Sequence, residues 1–177
     1  MKPASVAPFY AGWRLTNERL AEVVGGLSRE QLELKPAPDL WPIWATVAHL
    51  AGARVYWLCA ILQEPGAESA PFSTPTGECW EDDLSHPRQA SELIFALDSS
   101  WRIVEDCLER WTPDMLQEEV RRELPDGIHG HTRQSVLMRL LTHDASHCGE
   151  ISVTLGMHGL KEPDLWTGRG RLLPATS

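Results

Sequence analysis

The segment from Ala90 to Trp111 constrains the fold more than any other part of the chain. Its apolar residues, Ala90, Leu93, Ile94, Leu97, Trp101, Val104, Leu108 and Trp111, recur at intervals of three and four, the spacing that gathers side chains on one face of an α-helix. A long helix with one continuous apolar stripe must bury that stripe against other elements. The sequence supplies three partners. Residues 6–24 place Phe9, Trp13, Leu20 and Val24 at helical intervals before Gly25 and Gly26. Residues 44–62 follow Asp39, Leu40, Trp41 and Pro42, end at Pro65 and Gly66, and are apolar on nearly all sides, so this helix is expected at the centre. A fourth starts after Thr132, a suitable N-cap, carries Val136, Leu137, Leu140, Leu141, Ile151 and Leu155, and breaks at Gly156 and Gly159. Pro87 suits the first turn of the third helix. No strand pattern competes.

The connections set the topology. Leu27, Ser28, Arg29, Glu30, Gln31 and Leu32 read as a capping-box start for one helical turn, and residues 111–116 repeat that logic after the third helix. Long Pro- and Gly-rich connections do not suit a simple up-and-down bundle. The expected fold is therefore all-α: a four-helix bundle with crossover connections and short connecting helical turns. Residues 63–85, rich in Pro, Ser and Glu, read as a solvated loop, with Trp80 as the residue able to cover a site.

A chain of 177 residues with 42% hydrophobic and 23% charged side chains has the make-up of one globular domain, taken as residues 1–177. Its 16 basic and 25 acidic side chains give a formal charge of -9 without a basic stripe, which disfavours nucleic acid and anionic lipid as partners. No apolar run approaches the length needed to span a bilayer and the N-terminus lacks a secretory signal, so the expected location is cytoplasmic. The four cysteines form no C-x-x-C pair. Cys59, Cys107 and Cys148 fall in helical patterns as small core residues, and Cys79 is the thiol expected to be exposed.

The histidines carry the chemical signal. His143 and His147 are four apart on the fourth helix, so both project to one side and can grip one ion. His49 lies mid-helix in an apolar run, where an unpaired imidazole is costly to bury. Taken alone it reads as a core histidine bonded to a carbonyl or hydroxyl; taken with the pair it reads as a third ligand. Ala45, Gly52, Ala53 and Ala60 form a lane of small residues on its face, with Tyr56 and Trp57 as candidate pocket walls. Glu150, beside the pair, is a candidate to accept a ring N–H and orient a ligand, or else a surface residue. Asp144 projects into the apolar arc as a buried acceptor for an indole N–H or a histidine. His129, His131 and His158 read as loop residues, the first two close enough in sequence to the fourth helix to approach a site.

The run HLAGARVYW, followed about ninety residues later by LLTHDASHCGEI and a Gly-rich exit with Pro163 and Asp164, resembles the DinB-like superfamily of four-helix-bundle proteins, which includes bacillithiol and mycothiol S-transferase-type members. The resemblance spans nearly the whole chain. It implies that His49, His143 and His147 match the three metal ligands of that family, that the ion is divalent, zinc or nickel, and that the protein is a homodimer. An open position on such an ion can take a thiol or a water. The leading expectation is a transferase activating a low-molecular-weight thiol toward a small-molecule electrophile. The alternatives are a metal-dependent hydrolase of a small ester or amide and a non-catalytic metal-binding stress-response bundle. HDASH departs from the H-E-x-x-H helix of zinc peptidases, because Asp144 is shorter than Glu and turned away from the pair.

Overall fold

The computed structural model describes residues 4–168 and Gly170; the expected domain limits at 1 and 177 lie outside the described residues. A short 3-10 turn, Ala7–Tyr10, leads into α1 (Ala11–Gly25), and α2 (Arg29–Leu32) follows as a single turn. Ser28 caps α2 through the reciprocal Ser28 and Gln31 bonds that the sequence motif implies. Then come α3 (Ile43–Val55), α4 (Ala90–Arg110), β1 (Glu119–Leu124), β2 (Gly127–Thr132) and α5 (Arg133–Met157). Thr132 caps α5, its side chain accepting from Ser135 N. Helix α4 starts at Ala90, so Pro87 lies ahead of the helix rather than in its first turn.

Helix α3 is the central element: Trp44, Ala45, Thr46, Val47 and Ala48 are successive residues and all are buried. It packs on both α4 and α5, while α1 packs on α4 and reaches α5 through the Trp13 indole. The principal neighbours of α3 are thus not the helix that precedes it, as expected for crossover connections. One end of the interior is built on Trp13, Trp101, Trp111, Leu58 and Leu140, the other on Trp44, Leu20, Leu32, Ile151 and Leu155. Between them lies a buried polar knot. Asp144 Oδ2 accepts from Trp13 Nε1 at 2.7 Å and from Arg54 at 2.7 and 3.2 Å, and Arg54 also donates to Asn17 Oδ1 at 2.6 Å. Asp144 Oδ2, Arg54, Asn17 and Trp13 are thereby bonded across helices, which fixes their relative register, while Asp144 Oδ1 is buried without a partner.

Three features depart from the sequence reading. The segment before α5 is an antiparallel β-hairpin, with Glu119 opposite Thr132 and Leu124 opposite Gly127. Its apolar content is too thin to give an alternating pattern, but Pro125, Asp126 and Gly127 form a turn signal, and Gly127 takes the φ of 139° that favours glycine. His129 and His131 therefore lie on a strand, not a loop.

Residues 63–85 are not simply solvated. Ala70, Phe72, Glu64 and Glu81 are buried. Glu64 anchors the start of the segment, accepting from Arg110, Arg133 and the Trp111 indole at 2.8–3.2 Å. Cys79 rests on α3, its thiol directed at the Ala48 carbonyl at 3.6 Å, and is partly buried rather than exposed. Burial pushes its thiol well above the usual cysteine range.

Finally, the helix expected to run to Leu62 changes its winding at Val55. Tyr56–Ile61 is π-helical, with Leu62 N donating to Trp57 O, five residues back, at 3.1 Å.

Candidate metal centre

Helix α3 contributes His49 and α5 contributes His143 and His147. One ring nitrogen from each lies within 4.8 Å of the others, in the one such cluster of three potential ligands among the described residues. Ring centroids are 4.8 Å apart for His49 and His143, 5.2 Å for His49 and His147, and 4.5 Å for His143 and His147. The Nε2 atoms of His49 and His143 face one another at 2.9 Å.

Two of the rings are held by carboxylates. His49 Nδ1 donates to Glu81 Oε1 at 2.8 Å, and His147 Nδ1 donates to Glu150 Oε2 at 2.8 Å. Placing the proton on Nδ1 leaves Nε2 as a lone-pair donor in both rings. His143 is kept neutral, its pKa pushed down to about 3, first by burial and then by the neighbouring His147 and His49. Its Nδ1 is buried without a partner. Lone pairs converging on one point repel one another unless a cation or proton lies between them, so this donor set fits a divalent metal ion.

Beside the cluster is a cavity of about 350 Å³ bounded by Trp41, His49, Tyr56, Trp57, Glu81 and His143, among others. Trp41 packs on His49 with ring centroids 4.9 Å apart, and Tyr56 and Trp57 form an edge-on pair at the opposite end. The π-helical winding begins at these two aromatics. The lane of small residues on α3 receives the 63–85 segment. A methyl group on Gly52 would stand 2.4 Å from the Cys79 sulfur, so only glycine lets that segment close over α3. The closure delivers Glu81, 7% exposed, to His49.

Glu150, Tyr56 and Trp57 thus lie at the cluster or its cavity, whereas Asp144 is committed to Arg54 and Trp13 and does not touch the histidines. Glu81 was not singled out from the sequence, which drew attention to its neighbour Trp80. Trp80 instead packs on Phe72 and beneath Arg88. An isolated Glu in an acidic loop carries no local signal, and only the small-residue lane on α3 marked where a segment had to dock. His129 bonds to Asp126 at 3.1 Å, His131 packs edge-on against Trp57 and His158 is exposed at the end of α5; none joins the cluster.

Fold and site together define a helical bundle with a three-histidine cluster joining two of its helices. The family model of the DinB superfamily matches residues 13–151, and the chain belongs to that superfamily. Among solved structures, a DinB-like protein from Bacillus cereus ATCC 10987 superposes with a TM-score of 0.62 at 19% sequence identity, over 92% of this chain and 98% of that one. It shares the fold. No curated protein matches the chain in sequence.

Proposed function

We propose that the protein is a divalent-metal-dependent transferase that binds a low-molecular-weight thiol of the bacillithiol or mycothiol type and passes its sulfur to a small electrophile. The observation that carries this reading is the convergence of His49, His143 and His147, two of them held by carboxylates, at the edge of an aromatic cavity. A zinc or nickel ion held by the three imidazoles would supply the positive charge that stabilises a coordinated thiol in its nucleophilic, deprotonated form.

The chain's own contribution is positional. Glu81 and Glu150 fix the tautomers of His49 and His147, so that no proton need leave either Nε2 before the ion binds. Trp41, Tyr56 and Trp57 wall the cavity against bulk water, which strengthens electrostatic interactions inside it. None of the protein's cysteines suits the role of nucleophile: burial raises Cys59 to about 11 and Cys148 to about 12, and raises Cys79 and Cys107 further. The sulfur must then come from a substrate. A homodimer and a cytoplasmic location belong to the same reading; among the described residues, no helix is long and apolar enough to cross a membrane.

The test is elemental analysis of protein purified without a histidine tag, wild type against His49→Ala and His147→Ala. It is followed by thiol consumption with 1-chloro-2,4-dinitrobenzene as acceptor, in the presence and absence of chelator. One ion per chain, lost in both variants, and chelator-sensitive thioether formation are expected. Metal binding without consumption of any thiol would replace this reading with a binding protein. Chelator-sensitive cleavage of small esters or amides would replace it with a hydrolase.

A further inference from the structure

We propose that the cavity beside the histidines takes a substrate bearing a carboxylate, and that Arg139 is the residue that recognises it; this rests on the cavity being the substrate site of the reading above. Arg139 stands one helical turn before His143 on α5, and both line the cavity. Its guanidinium lies 4.5 Å from the Trp57 ring centroid, a cation–π contact that orients the fork. No carboxylate pairs with it among the described residues, although the chain carries a formal charge of -9. Arg14, Arg54, Arg88, Arg110 and Arg133 are all matched to carboxylates.

A second cation reinforces that end. Arg122, on β1, donates to the Tyr56 hydroxyl at 2.5 Å and lies 5.8 Å from the Trp57 centroid, again without an acidic partner among the described residues. The acids on the cavity are engaged elsewhere: Glu81 with His49, and Asp82 with the Cys79 backbone N–H at 2.8 Å. Two guanidinium groups, the exposed Arg139 and the half-buried Arg122, thus stand at Tyr56 and Trp57 without an acidic partner among the described residues, and the imidazoles lie beyond them. One guanidinium fork matches the two coplanar oxygens of a carboxylate. A phosphate monoester, with nearly two charges and three acceptor oxygens, needs more donors than this wall offers.

The experiment titrates zinc-loaded wild type, Arg139→Gln and Arg139→Lys with succinate and with its neutral diamide by calorimetry, the metal content of each sample being measured first. Wild type is expected to prefer succinate by about tenfold or more, the usual order for one charge-assisted pair. Arg139→Gln should abolish the preference and Arg139→Lys retain part of it. Equal binding of the two probes, no binding of either, or a preference that survives Arg139→Gln would overturn the proposal. In parallel, cobalt-loaded protein titrated with 3-mercaptopropionate and 2-mercaptoethanol reads sulfur coordination by its charge-transfer absorption. Absence of that band with an intact succinate preference would sink the thiol reading and leave the carboxylate site standing. A thiol band without a charge preference would do the reverse.

Discussion

Glu81 Oε1 accepts the His49 Nδ1 proton at 2.8 Å across a separation of 32 residues. The carboxylate is 7% exposed and its second oxygen is buried without a partner. A buried carboxylate held in this way is costly unless the ring it orients is stabilised in return. Glu81→Ala is expected to weaken metal binding about 10- to 100-fold, as is usual for the partner of a ligating histidine, without removing the ion at saturating metal. A chelator-competition titration against wild type measures it.

Gly52→Ala should have a similar effect from a residue that touches no histidine. The added methyl would meet the Cys79 sulfur at 2.4 Å and its Cβ at 3.0 Å, so the 63–85 segment must shift and carry Glu81 with it. Overpacking of this kind costs about 1–3 kcal/mol. Gly149→Ala, with nothing within 4 Å of its added carbon, is the control. Metal titration is expected to change for Gly52→Ala alone, and urea unfolding to show a loss for Gly52→Ala only, since Gly149→Ala at mid-helix should gain up to about 1 kcal/mol.

Asp144 lies between the two α5 histidines in sequence and belongs to the interior. Removing it as Asp144→Ala strands the buried Arg54 guanidinium, a loss of about 3–5 kcal/mol for a broken buried pair. The variant is expected to unfold at much lower urea than wild type yet bind the same number of metal ions where it remains folded. A halved stoichiometry with undiminished stability would contradict this assignment.

The metal-free protein should lose stability on acidification. His143 titrates at about 3 when folded, against an ordinary value of 6.5. Between those values the unfolded chain binds a proton that the folded chain does not, so stability is full above pH 6.5 and declines as the pH falls toward 3. The urea midpoint is expected to be lower at pH 5 than at pH 7.5, with a smaller difference in His143→Gln. Bound metal should be released on acidification as well, because imidazole ligands must be deprotonated.

Much of this was legible before any coordinates. The stripe from Ala90 to Trp111 and the two-sided burial of α3 follow from periodicity, because helical side chains repeat at fixed angles whatever they pack against. His143 and His147 were readable as a pair for the same reason. What lay beyond reach depends on tertiary placement. Glu81 acquires meaning only once Gly52 lets its segment descend, and Arg139 only once Trp57 fixes its fork, although the spacing of Arg139, His143 and His147 by four places all three on one face. The hairpin escaped because Val120, Arg122 and Leu124 offer too little apolar alternation to outweigh their charged neighbours.

The π-helical stretch Tyr56–Ile61 follows His49 on the same helix and opens with two residues of the cavity wall, Tyr56 and Trp57. Each residue of a helix turns the chain by about 100°, so gaining or losing one residue within this stretch re-aims everything after it while His49, upstream, keeps its place. That downstream chain includes Glu81, so the length of this one turn bears on how His49 is held as well as on the cavity wall.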